Sequence, residues 1–247
     1  MDAGLPVDLE AEVLVDRGRG ARLLVLLHGY GLPSDDLTSR LELIDPAGEC
    51  TVVVPRAPFE RKGRAIWHRA LHSDPDGAAR QFRSSVASLD ALLGRLAAEL
   101  GADLGRTVVG GFSQGGGLGI ALLLAAGIEH RPGAAFGVCS FPPAFDGFVV
   151  DRVAATGRPC CLVSAHRDHF APIESSRAGA VLLAGLGLDL TYAETDSEHV
   201  MTDEAAVAVG TWLSRLDDGA DRREGHELLD GVTGRHEFYD GLWEYAS

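Results

Sequence analysis

The chain has 247 residues, 46% of them hydrophobic, enough to build one large α/β domain with a full core or two small ones. Its 36 acidic against 22 basic residues give a net charge of −14, which argues against nucleic acid or an anionic membrane surface as a partner. Met1 to Glu10 carries no apolar core of the secretory kind, and the longest apolar stretch, Leu118 to Ile128, is too short for a membrane span.

Glu10 to Asp16 reads as a short strand. Arg22 to Leu27 is a continuous apolar run ending in His28-Gly29-Tyr30-Gly31, the pattern of a parallel strand buried on both faces. Ser34 or Asp35 can cap a helix running to Ile44, stopped by Pro46 and Gly48. Thr51 to Val54 is the next strand. Arg56 to Pro75 reads as a long irregular connection, a feature more often functional than idle in a compact domain. In Asp76 to Leu100, Phe82, Val86, Leu89, Leu93, Leu96 and Leu100 recur at helical spacing, and Gly101 ends the helix. Further strands are expected at Thr107–Val109, Ala134–Cys139, Pro159–Ala165 and Leu188–Glu194, with helices at Leu118–Ile128, Pro172–Leu186 and Thr202–Leu216. This alternation predicts a doubly wound, mostly parallel α/β sheet with helices on both faces. Residues 1–216 read as one catalytic domain, and 217–247 as an acidic extension.

Cys50, Cys139, Cys160 and Cys161 show no metal-ligand spacing and fall in or beside predicted strands, so they read as buried thiols. Cys160 and Cys161 face opposite sides of one strand. Such cysteine usage predicts a reducing, cytoplasmic setting. In the extension, Phe238, Tyr239, Leu242, Trp243 and Tyr245 cluster among acidic residues. An exposed cluster of that density is unfavourable, so its aromatic end is expected to dock on the body or on a second subunit of a homodimer.

The stretch with the strongest chemical signal is Gly110-Gly111-Phe112-Ser113-Gln114-Gly115-Gly116-Gly117, between a predicted strand and a predicted helix. Strand, Gly-x-Ser-x-Gly, helix is the setting of a nucleophile elbow. A serine hydroxyl needs a base, usually His, and the base needs an orienting carboxylate. Beyond later strand ends the chain offers Asp168, in Ser164-Ala165-His166-Arg167-Asp168-His169, and His199, in Ser197-Glu198-His199. Serine, acid and histidine thus follow one another in the order used by α/β-hydrolases, at the sheet edge where ligands bind. His28 is a second candidate base but precedes the serine. His166, Asp168 and His169 lie too close together in sequence to reach one tetrahedral ion, and no fourth ligand is evident, so no metal is expected.

Leu27-His28-Gly29-Tyr30-Gly31 with Asp36-Leu37, Pro55-Arg56-Ala57-Pro58 with Gly63 and Trp67, the elbow, Asp168 with Pro172, and His199 before an amphipathic helix together resemble the phospholipase/carboxylesterase family of α/β-hydrolases, over residues 10–216. The resemblance implies an α/β-hydrolase fold and a Ser113-Asp168-His199 triad. It also implies an oxyanion hole formed by the backbone N–H groups of Tyr30 and Gln114, a pocket wall at Trp67, and no cofactor. Phe141, Phe145 and Phe148 either line an acyl pocket or belong to the core. His68-Arg69 stands where the family usually has an aromatic residue and an aspartate, and Ser140-Phe141-Pro142-Pro143 is bulkier than the usual Ser-Gly pair. The expected substrate is a small or medium acyl ester or thioester. The alternatives are acyl transfer or tailoring in a small-molecule pathway, and a non-catalytic hydrolase-fold binding protein.

Overall fold

The computed structural model describes residues 5–70, 74–143, 145 and 147–216. The first half contains β1 (Ala11–Val15), β2 (Arg22–Leu27), α1 (Asp35–Thr38), α2 (Leu41–Ile44), β3 (Cys50–Pro55), β4 (Phe59–Arg61), β5 (Arg64–Ile66) and α3 (Pro75–Leu100). The second half contains β6 (Val108–Phe112), α4 (Gln114–Leu124), β7 (Ala134–Val138), α5 (Arg152–Ala155), β8 (Pro159–Ala165), α6 (Ile173–Gly185), β9 (Asp189–Thr195) and α7 (Asp203–Arg215). The main sheet has seven strands in the order β1-β3-β2-β6-β7-β8-β9. β1 runs antiparallel to β3, and every other pairing is parallel. The fold is therefore α/β with a mixed, mostly parallel sheet.

Strand periodicity divides the core between the two faces. Leu23, Val25 and Leu27 of β2 point to the face covered by α3 and α4, and Leu24 and Leu26 to the face covered by α1, α2 and α7. β8 behaves the same way: Cys160 joins the cluster under α4 and α6, while Cys161 joins the α7 side. All four cysteines are buried free thiols. The long helix α3 starts and stops as its sequence dictates. Asp74 accepts from the Gly77 N–H, Pro75 opens the first turn, and Gly101 closes the helix in a left-handed conformation (φ 65°).

Three elements differ from expectation. The Ser34–Ile44 helix is two short helices, separated at Ser39–Arg40. The elbow helix starts at Gln114 rather than Leu118 and ends at Leu124, because Ala125 turns extended and bridges to Val150. Within the connection after β3, β4 and β5 form a hairpin across Lys62 and Gly63, both at positive φ. A two-residue turn ending in Gly was the available signal for it. The predicted docking of the 217–247 aromatic cluster concerns residues outside those described.

Candidate active site

β2 and β6 are paired neighbours, with Leu27 opposite Gly111, so the loops leaving them emerge side by side at one sheet edge. The β6 turn is tight. A β-carbon at Gly111 would sit 1.9 Å from the Leu27 carbonyl oxygen, and one at Gly115 2.1 Å from it, so both positions exclude any side chain. Between them Ser113 adopts φ 52° and ψ −117°, a strained backbone for a residue with a side chain. Its N–H donates to the Val138 carbonyl at 2.9 Å. Although it precedes α4, its side chain makes no cap bond, leaving Oγ to face the neighbouring loop.

That loop brings His199, whose Nε2 lies 3.1 Å from Ser113 Oγ. His199 Nδ1 lies 2.7 Å from Asp168 Oδ2. Three strand ends, those of β6, β8 and β9, thus bring together residues separated by 86 and 31 positions in the chain. The imidazole lies between Phe112 (4.8 Å between centroids) and Phe170 (5.1 Å). The Asp168 side chain is fully buried. Its other oxygen, Oδ1, accepts from the N–H groups of Phe170 (2.8 Å) and Ala171 (2.7 Å). Burial works to raise its pKa, but the His199 bond and these two N–H groups together hold it below its usual value.

Tyr30 stands on the loop after β2 and Gln114 opens α4; among the described residues no acceptor takes either backbone N–H. His28 is committed elsewhere. Its Nδ1 is 2.8 Å from the Gly29 carbonyl, and Nε2 accepts from the Ala57 N–H at 3.2 Å. Burial lowers its pKa, and with Nε2 accepting a backbone N–H the ring is bound in its neutral form and structures the loop.

Trp67 is placed in the core with no exposed surface rather than on a pocket wall. Its indole N–H finds an acceptor in the His28 carbonyl at 2.9 Å. Its backbone N–H donates to Gln114 Oε1 at 3.2 Å, and its carbonyl accepts from Ser85 Oγ at 2.6 Å. Gln114 Nε2 in turn donates to the His68 carbonyl at 2.9 Å. One tryptophan therefore ties the β2 loop, the elbow helix and α3 together, a role that depends on tertiary partners and leaves no local sequence signal. Phe145 is also core, stacked on Phe82 at 4.1 Å; Phe141 and Phe148 are half-buried. His68 sets its ring edge against Phe145, and burial pushes its pKa down to about 4.

His166 and Asp168 do not converge on a common point, since His166 Nε2 lies 2.9 Å from Glu194. A cavity of about 200 Å³ opens at the opposite edge of the sheet, lined by Arg22, Asp45, Cys50 and Arg106. Ser113 is not among its walls, so it is side-chain geometry that locates the site.

Residues 9–186 match the model of the phospholipase/carboxylesterase family. The chain belongs to that family. The match takes in Ser113 and Asp168 and stops short of His199, which the fold brings to them. Solved structures agree in fold. A Bacillus cereus carboxylesterase is 20% identical with a TM-score of 0.71, covering 84% of this chain and 94% of its own. Esterase PE8 is 24% identical, with a TM-score of 0.68 and coverage of 85% and 99%. A carboxylesterase from Mesorhizobium loti is 22% identical, with a TM-score of 0.67 and coverage of 83% and 98%. No curated protein matches the chain.

Proposed function

We propose that this carboxylesterase-family hydrolase cleaves esters or thioesters of small to medium acyl groups through an acyl-enzyme on Ser113. The observation that carries the reading is the continuous chain of contacts from Ser113 Oγ through His199 to Asp168, at 3.1 and 2.7 Å. Ser113 Oγ attacks the acyl carbonyl as His199 Nε2 takes its proton. Asp168 holds Nδ1–H and stabilises the imidazolium that forms. The N–H groups of Tyr30 and Gln114 receive the developing oxyanion, each contributing about 3–4 kcal/mol to transition-state stabilisation. The proton then passes from His199 to the leaving group, and water, deprotonated by the same imidazole, releases the acid.

Supporting the assignment of Ser113 as nucleophile are its strained backbone, its uncapped side chain and the glycines that admit the turn. The test is a fluorophosphonate probe with peptide mapping, alongside Ser113→Ala. Label on Ser113, with kcat for p-nitrophenyl acetate reduced by about a thousandfold or more in the variant, is the expected result. An unlabelled serine, or hydrolysis by the purified variant at the wild-type rate, refutes the reading. A panel of esters and thioesters of graded chain length then defines the acyl group.

A further inference from the structure

Among the described residues, three that are not glycine have a left-handed backbone: Lys62, Ser113 and Cys139, with φ of 51°, 52° and 50°. Lys62 sits in the hairpin turn, and Ser113 is the elbow. Cys139 follows β7 directly, where a glycine would meet the backbone requirement without strain. The Cys139 sulfur, a carboxylate oxygen of Asp168 and a ring nitrogen of His199 all lie within 4.8 Å of one another. Its S–H donates to the carbonyl of Val200, the residue after His199, at 3.9 Å. Burial, with the Asp168 carboxylate beside it, pushes the thiol pKa up, so the group is an S–H donor and not a thiolate.

The next residue braces the other half of the site. Ser140 is fully buried, with Oγ 3.0 Å from the Ser113 carbonyl and 2.9 Å from the Val138 carbonyl. The Cys139 N–H donates to the Val163 carbonyl at 2.8 Å and fixes the turn onto β8, the strand that carries Asp168. The turn after β7 is thus anchored on both sides of the site.

We propose that Cys139 is a positioning residue for the Asp168–His199 pair: its S–H, held on the Val200 carbonyl next to His199, keeps its sulfur packed against the pair and fixes the angle at which the imidazole meets Ser113. The proposal rests on the assignment of Ser113, His199 and Asp168 above. A donor tied to the backbone directly after His199 holds the imidazole in line with Asp168.

The experiment compares Cys139→Ala, Cys139→Gly and Cys139→Ser with wild type in p-nitrophenyl acetate kinetics, thermal melting and proton NMR of the His199–Asp168 bridging hydrogen. Alanine and glycine are expected to lower kcat about tenfold or more with KM within about twofold, the scale of a misaligned catalytic group. Glycine, which relieves the backbone strain, should melt no lower than alanine and still be slow. Serine restores a donor and should hold kcat within about threefold of wild type. The bridging proton should move in alanine and glycine and return in serine. Wild-type kcat and an unmoved bridging proton in alanine and glycine would overturn the proposal. So would a serine variant as slow as alanine but melting like wild type. If Ser113 takes the fluorophosphonate at the same rate in every variant, only the role of Cys139 fails; if wild type neither labels there nor hydrolyses esters, the assignment beneath it fails as well.

Discussion

The Trp67 indole N–H donates to the His28 carbonyl at 2.9 Å, and the two rings stand 5.3 Å apart. His28 begins the loop that carries Tyr30, so the core reaches the proposed oxyanion donor through this bond. Trp67→Phe keeps an aromatic ring but leaves a buried carbonyl without its donor, at a cost of about 1–3 kcal/mol. In a domain of this size each kcal/mol lowers Tm by about 2–4 °C. Calorimetry should show that loss, and kcat should fall with it, since the N–H proposed to receive the oxyanion is set by the same loop. An unchanged Tm and kcat would remove Trp67 from this role.

The parts of the molecule legible in sequence are those whose cause is local. The apolar run Arg22–Leu27 announces a strand buried on both faces, and the structure buries every one of its residues. Ser113, Asp168 and His199 were legible because each follows a strand, and parallel strands deliver their ends to one edge. The side-chain partners of Trp67, Gln114 and Cys139 were not, because they lie far away in sequence: the carbonyls of His28, His68 and Val200. The hairpin of β4 and β5 escaped for another reason. Its strands are three residues each, too short for periodicity to register.

Gly115 tests the elbow directly. Its added β-carbon would meet the Leu27 carbonyl oxygen at 2.1 Å and carbonyl carbon at 2.5 Å, both backbone atoms of a central strand that cannot swing aside. Gly115→Ala should therefore displace the start of α4, and with it the Gln114 N–H. Overpacking of this kind costs about 1–3 kcal/mol and sometimes more. A folded variant should show kcat reduced about a hundredfold, the penalty for moving a catalytic group by an ångström or so. Normal kcat in this variant would mean the close approach to Leu27 is not maintained in solution.

The pH profile of kcat/KM should fall on the acid side, because the base must be neutral to accept the serine proton. Burial lowers the pKa of nearby His28, and pushes that of nearby His68 down to about 4, below the mildly acidic range. Substituting His68 with Gln should therefore leave the position of the acid limb unmoved. A profile flat down to pH 4 in a still-folded protein contradicts a histidine base.

Glu194 offers a stability test away from the reacting atoms. On β9 it accepts two bonds from Arg177, at 2.7 and 2.9 Å, and lies 2.9 Å from His166 Nε2. The Arg177 bonds, opposed by partial burial, hold its pKa below the ordinary 4.5. A carboxylate whose folded pKa is depressed stabilises the fold fully above its unfolded value and loses that contribution as pH falls through the folded one. Its side chain is 20% exposed and that of Arg177 39%, so solvent screening limits the pair to about 1 kcal/mol. Glu194→Gln should accordingly melt about 2–4 °C below wild type at pH 7. The gap should narrow as the pH is lowered through 4.5 and below, because wild type then loses the same charge. A gap that stays constant across that range would show that packing of the side chain, and not its ionisation, accounts for the difference.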